Sequence, residues 1–285
     1  MSDPVELFDH AVLGRLGEGA ASVIYKVRSP HGEAIHALKH VIKRSEKDQR
    51  FLDQVEAEHR LGSPLRHRAI RRIERLFRRR RRFRVTEMGL LMEYVEASGL
   101  DALPRPRTVE AVGIFIRIAE GLQAMHERGV VHADMKPTNV LVGPGEVKII
   151  DFGQACEIGT RKTRIQGTPG YIAPEQAHRR RITERTDVYN FGATMYWTLA
   201  RKVIPTVLPP RSLDAPGGVP LPSDRVVDPT PLTELAEDVP DSLDELVRRC
   251  VQVSRGDRPS SLRPVIDGLH RVARELRGTK ATGRS

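Results

Sequence analysis

The stretch His132-Ala133-Asp134-Met135-Lys136-Pro137-Thr138-Asn139, followed by apolar residues 140–150 and then Asp151-Phe152-Gly153, constrains this chain more than any other feature. The apolar residues on either side of Gly143-Pro144-Gly145 predict a short hairpin turning at those three residues. That hairpin joins a polar loop carrying Asp134, Lys136 and Asn139 to a segment carrying Asp151 and Gly153. Asp-Phe-Gly alone would mean little; the five positions together do not arise by coincidence.

The remainder divides into a β-rich third and a helical remainder. Residues 13–27, 33–41 and 84–94 alternate apolar and polar side chains around glycines, which predicts strands of one antiparallel sheet. Between them Phe51, Val55, Glu58 and Gly62 recur at helical spacing, so Glu58 is expected to face inward. From Thr108 the stripe Val112, Phe115, Ala119, Leu122 and Met125 predicts a helix that Gly129 ends. Further helices are expected over 184–201, over 241–252 with Asp241 as N-cap, and over 260–276. Residues 205–240 are crowded with proline and read as a long irregular loop, and 278–285 as a frayed tail.

With 285 residues and 39% apolar content the chain can bury a full core. No run approaches a membrane span and the charged start lacks a signal-peptide core, so the expected location is cytoplasmic. Two cysteines, Cys156 and Cys250, exclude a disulfide framework and a four-cysteine zinc site. The net charge of +10 favours anionic partners in general.

Asp134 and Asp151 with Asn139 suit phosphoryl transfer from ATP. One carboxylate orients a hydroxyl, while an amide and a second carboxylate hold Mg²⁺, with Mn²⁺ the alternative metal. On this reading Asp134 aligns the acceptor, Lys136 offsets charge on the transferred group, and Asn139 and Asp151 ligate metal. Gly17-Glu18-Gly19-Ala20-Ala21-Ser22 follows one strand and precedes another, a context that argues against a dinucleotide fold. Its small residues let backbone N–H groups approach phosphate oxygens. Taken alone, a glycine-rich hairpin without a ligand is as good a reading. Lys39 closes the next strand and is the candidate cation for the α and β phosphates, held in place by Glu58.

These motifs resemble a eukaryotic-type Ser/Thr protein kinase catalytic domain, and further matches support it. They are Gly167-Thr168-Pro169-Gly170-Tyr171-Ile172-Ala173-Pro174-Glu175, Asp187-Val188-Tyr189-Asn190-Phe191-Gly192 and Arg258 in Gly256-Asp257-Arg258-Pro259. The resemblance implies an α+β bilobal fold. It has a lead over 1–10, a kinase domain over 11–276 with its β-rich lobe to about 95, and a tail over 277–285. It implies MgATP as the donor, protein serines and threonines as acceptors, and autophosphorylation. Leu16, Ile24, Ala37 and Met92, with backbone groups of Glu93 and Val95, would contact the nucleotide. Because Leu65-Arg66-His67-Arg68-Ala69-Ile70 resembles the loop after the family's helix, Glu58 rather than Glu56 is the expected partner of Lys39. The equivalents of Glu175 and Arg258 form a buried ion pair in the family, and that of Asp187 braces the catalytic loop.

The pattern also departs from the family. Ala133 stands where many regulated kinases carry an arginine that reads a phosphate on the activation segment, so activity is expected to depend little on phosphorylation at Thr160, Thr163 or Thr168. Residues 66–84 hold eleven arginines, five of them consecutive, which reads as a solvated edge or a docking patch for an acidic partner. Two rivals remain from other classes: an ATP-binding scaffold without activity, and a nucleic-acid-binding module built on that tract.

Overall fold

The computed structural model describes residues 3–19, 21–207, 226 and 228–282, so Ala20 and most of the proline-rich stretch lie outside the described residues. The chain forms two compact units. The first comprises Met1–Arg66, Ile70–Glu96 and Asp151–Gly153, the second His67–Ala69, Ala97–Ile150 and Gln154–Ser285. Asp-Phe-Gly therefore belongs with the first unit, where chain order alone had placed it with the second.

The first unit contains strands β1 (Glu6–Leu7), β2 (His10–Gly19), β3 (Ser22–Arg28) and β4 (Ile35–Ile42), helix α1 (Gln49–Gly62), and strands β5 (Ile73–Arg81) and β6 (Arg84–Glu93). They form one six-stranded sheet in the order β1-β2-β3-β4-β6-β5, antiparallel throughout. Side chains alternate across a strand, so register fixes which residues share a face. Tyr25, Leu38 and Leu91 align and join Leu7, Phe8 and Val27 in an apolar cluster. The opposite set aligns Ile24 with Lys39 and Leu90, and Ala37 with Met92. On α1 the buried stripe is Leu52, Val55, Glu58, Leu61 and Gly62, with Phe51 only half-buried.

Residues 3–10 are not a lead outside the fold. Leu7 pairs with His10 across a two-residue turn whose central residues, Phe8 and Asp9, have φ of 51° and 64°. Such a turn matches the twist of a hairpin, and it delivers Phe8 to stack on Phe77 at 5.3 Å. No Asn-Gly or Asp-Gly pair announced it.

The second unit contains β7 (Ser98–Gly99), α2 (Thr108–His126), β8 (Val130–Val131), β9 (Val140–Gly143), β10 (Glu146–Ile149), β11 (Cys156–Glu157), α3 (Pro174–Ala177), α4 (Glu184–Ala200), α5 (Leu232–Leu235), α6 (Asp241–Cys250) and α7 (Arg263–Thr282). The stripe read from α2 is buried in full, and Phe115 meets Phe191 of α4 edge-on at 6.2 Å. A Cβ on Gly192 would come within 2.6 Å of Cys250, so glycine there permits close approach of α4 and α6. Gly129 stands beyond the end of α2 with φ of 74° and donates its N–H to His126 O. The β9–β10 hairpin turns at Pro144 and Gly145, and β7 adds a third strand. Two expectations are corrected. Asp241 is the first helical residue of α6 rather than its cap, which is Pro240. Helix α7 continues through Thr282, where a tail was expected from residue 277 and fraying from 278. Both cysteines are free and buried. No helix among the described residues is long and apolar enough to cross a membrane.

Candidate active site

In the first unit, register places Lys39 of β4 on the sheet face shared with Ile24, Ala37 and Met92. Its Nζ donates to Glu58 Oε2 at 2.7 Å and to Asp151 Oδ1 at 3.4 Å. Burial alone would lower the Lys39 pKa, but the carboxylates of Glu58 and Asp151 outweigh it and hold the ammonium above its ordinary range. Glu56 lies on the exposed side of α1 and pairs with Arg78 at 2.8 Å. The glycine-rich segment turns between β2 and β3 with Gly19 opposite Ser22, and a bulge between Arg15 and Gly17 leaves Leu16 outside the ladder and half-exposed. Gly19, Ala21, Ser22, Lys39, Val55 and Asp151 line a cavity of about 160 Å³. Glu93 pairs with His36 and Val95 is buried.

In the second unit, Asp134 lies in the loop between β8 and a single 3-10 turn over Pro137–Asn139. Its Oδ1 accepts the Thr168 hydroxyl at 2.9 Å, and its Oδ2 lies 3.0 Å from Lys136 Nζ, which also donates to Thr168 Oγ1 at 2.8 Å. Asn139 donates its amide to Asp134 O at 2.8 Å. The loop backbone is held from below by Asp187, which is fully buried and accepts from His132 N, Ala133 N and His126 Nε2, each at 2.8 Å. That bracing keeps Ala133 at φ of 61°, a conformation costly for a residue with a Cβ. Farther along, Glu175 and Arg258 pair through both guanidinium nitrogens at 2.9 and 3.0 Å, with both residues buried.

Three contributions escaped the sequence reading. Arg71 is buried and donates to the thioether of Met92 at 3.1 Å; burial pulls its pKa down against the carboxylates of Glu58, Asp151 and Glu93. Gln176 bridges Ala133 O, Ala173 N and Asn190 Nδ2, tying the catalytic loop to the segment before α3. His126, read only as part of a helix end, reaches Asp187. Gln176 had a usable signal in its place directly after Ala173-Pro174-Glu175; a single arginine in a tract of eleven offered none.

Comparison with known proteins identifies the family. A family model described as "Protein kinase domain" matches residues 10–267. The chain is 34% identical over 206 residues to "Serine/threonine-protein kinase AfsK" of Streptomyces griseus, covering 68% of this chain and 24% of that protein. It is 32% identical over 182 residues to "Probable serine/threonine-protein kinase PknB" of Corynebacterium glutamicum, covering 58% of this chain and 26% of that one. The chain thus spans about a quarter of the length of these curated relatives. In fold it is similar to the PknI kinase domain of Mycobacterium tuberculosis, with a TM-score of 0.69 at 22% identity over 95% of this chain and 99% of that one. A lysine paired to a helix glutamate, an aspartate loop braced from a buried helix, and a family match over nearly the whole length place this chain in the protein kinase domain family.

Proposed function

We propose that this chain transfers the γ-phosphoryl group of ATP to serine and threonine hydroxyls of proteins, itself included. The observation that carries the reading is Asp134, whose carboxylate accepts a threonine hydroxyl at 2.9 Å while Lys136 stands 3.0 Å away. An arriving hydroxyl meets there an acceptor for its proton, and a cation for the charge that develops on the transferred group. Lys39, fixed by Glu58, offers a permanent positive charge to the phosphates, and the small residues from Gly17 to Ser22 leave backbone N–H groups approachable. Leu16, Ile24, Ala37 and Met92 supply apolar contacts for the base, with backbone groups of Glu93 and Val95 as its polar partners.

The donor set suits a divalent metal brought in with the nucleotide. Among the described residues no group of three or more His, Cys, Asp or Glu is placed to hold a metal unaided. A cation whose other ligands are phosphate oxygens and water needs only the Asn139 amide oxygen and the Asp151 carboxylate. We assign Mg²⁺, with Mn²⁺ as the substitute such oxygen donors accept; bound there, the metal would neutralise phosphate charge.

Transfer of label from γ-labelled ATP to a basic protein, followed by phosphoamino-acid analysis, tests the reading. Asp134→Ala and Lys39→Met should each abolish transfer. Nucleotide binding without transfer by the unaltered chain would instead establish the inactive scaffold.

Strand β5 favours a second, separate role. It is the sheet edge, and among the described residues no carboxylate pairs with Arg80, Arg81 or Arg82, while Phe83 beside them is 96% exposed. This edge would dock an acidic protein; neutralising the three arginines should remove a binding that weakens steeply with salt.

A further inference from the structure

Arg161, Arg180, Arg181 and Arg255 line one open cavity of about 690 Å³ in the second unit. Arg161 and Arg181 are bridged backbone to backbone, and Ile182 N donates to Thr160 O at 2.9 Å, so the two segments present their side chains from a fixed frame. Arg255 spans the same space, donating to Arg181 O at 3.3 Å while its own carbonyl accepts from Arg185. Among the described residues Glu175 is the single acidic one in the lining, and its carboxylate is committed to Arg258 and to the Thr186 hydroxyl. Among the described residues no carboxylate pairs with Arg161, Arg180 or Arg181.

Four guanidinium groups gathered in one concavity repel each other, and an anion that accepts from several at once relieves that repulsion. The shape and chemistry narrow the class. Among the described residues no aromatic side chain lines the cavity for a base to stack on, and its concavity does not fit a flat lipid surface. A phosphomonoester carries about −1.5 to −2 charge at neutral pH on three acceptor oxygens, a match for converging arginine forks. We propose that this cavity binds the phosphate of a phosphorylated serine or threonine, and so favours docking of proteins that already carry one. It deepens the phosphotransfer reading by naming a recognition class; binding needs no nucleotide, so the two can fail separately.

The test is fluorescence anisotropy with the full chain and a labelled Gly/Ala peptide carrying one phosphothreonine, beside its threonine and glutamate versions. The phosphopeptide should bind at least ~10-fold tighter than either, as loss of several charge-assisted bonds implies. Arg180→Gln with Arg181→Gln should erase that preference while leaving phosphorylation of an unphosphorylated protein unchanged; Arg161→Gln alone should weaken it if the double variant fails to fold. Comparing phosphatase-treated with autophosphorylated chain separates the sources. Undiminished phosphopeptide binding after autophosphorylation supports a docking protein as the source, and binding blocked by autophosphorylation would overturn it in favour of this chain's own activation segment. Equal binding of the three peptides, an unaffected preference in the variants, or an oligonucleotide that outcompetes the phosphopeptide would overturn the proposal.

Discussion

Arg71 and Met92 meet inside the sheet of the first unit, guanidinium to thioether at 3.1 Å. A thioether is a weak acceptor, and Arg71 Nε has no hydrogen-bond partner among the described residues. The nearby carboxylates offset part of the cost of burying this charge, yet the best acceptor geometry of Glu58 goes to Lys39. Arg71→Met should therefore be neutral or stabilising by up to ~2 kcal/mol in denaturant unfolding, since an apolar group of similar length removes an incompletely paired buried charge. A loss above ~3 kcal/mol would show that the guanidinium is better compensated than this geometry indicates.

Glu58 and Glu56 lie two residues apart on α1 and have opposite fates. Glu58→Gln removes the charge nearest Lys39 and leaves the Asp151 carboxylate at 3.4 Å as its remaining anionic partner, so kcat/KM should fall ~10- to 100-fold, or ~1.4–2.7 kcal/mol. Glu56→Gln gives up an exposed pair with Arg78 and should change neither activity nor stability beyond ~0.5 kcal/mol. Steady-state kinetics on the two variants discriminates them, and equal losses would remove Glu58 from the site.

Asp187 accepts three hydrogen bonds in a fully buried setting, which holds the catalytic-loop backbone without an arginine at position 133. Phosphatase-treated chain, or one with Thr160→Val and Thr163→Val, should keep its rate within ~3-fold of the phosphorylated chain, a difference under ~1 kcal/mol in barrier. Asp187→Asn should cost far more, with the loss appearing in kcat rather than in KM for ATP. A dephosphorylated chain that is inactive and recovers on phosphorylation would contradict this.

Asp238 closes the start of α2 from outside the helix, accepting from Thr108 N at 3.0 Å and Thr108 Oγ1 at 2.8 Å and pairing with Arg105. Burial works against its charge, but Arg105 and Thr108 prevail and hold its pKa at about 2. A depressed carboxyl contributes stability above its unfolded pKa and loses it as pH falls through the folded one. The contribution of Asp238 is thus complete above about 4 and disappears toward 2. Asp238→Asn removes the charge facing Arg105 and should cost up to ~1 kcal/mol of stability at pH 7, seen as a lower Tm, and the gap to the unaltered chain should narrow as pH drops toward 2.

Periodic patterns explain which parts could be read in advance. The stripe from Val112 to Met125 and the inward Glu58 followed from helical spacing, and the Pro144-Gly145 turn from its residue types. Asp134, Asn139 and Asp151 stood out as candidates because phosphoryl transfer needs such groups at that spacing. What stayed hidden was set by three-dimensional context. Leu7 and Phe8 join the core through a turn made by residues that seldom take positive φ, and Arg71 has the same local sequence surroundings as arginines that reach solvent. Helix ends shifted by a few residues, as at Asp241 and Thr282, because caps depend on backbone geometry that composition does not fix.

Both cysteines lie inside the second unit, where burial raises the thiol pKa of Cys156 and pushes that of Cys250 up to about 12. A protonated, enclosed sulfur reacts slowly with maleimides and with peroxide. The native chain therefore gives spectroscopists a quiet background: one cysteine introduced at an exterior position such as Phe83 would be the fastest-labelling thiol, ready for a fluorophore or spin label without first stripping the natural two.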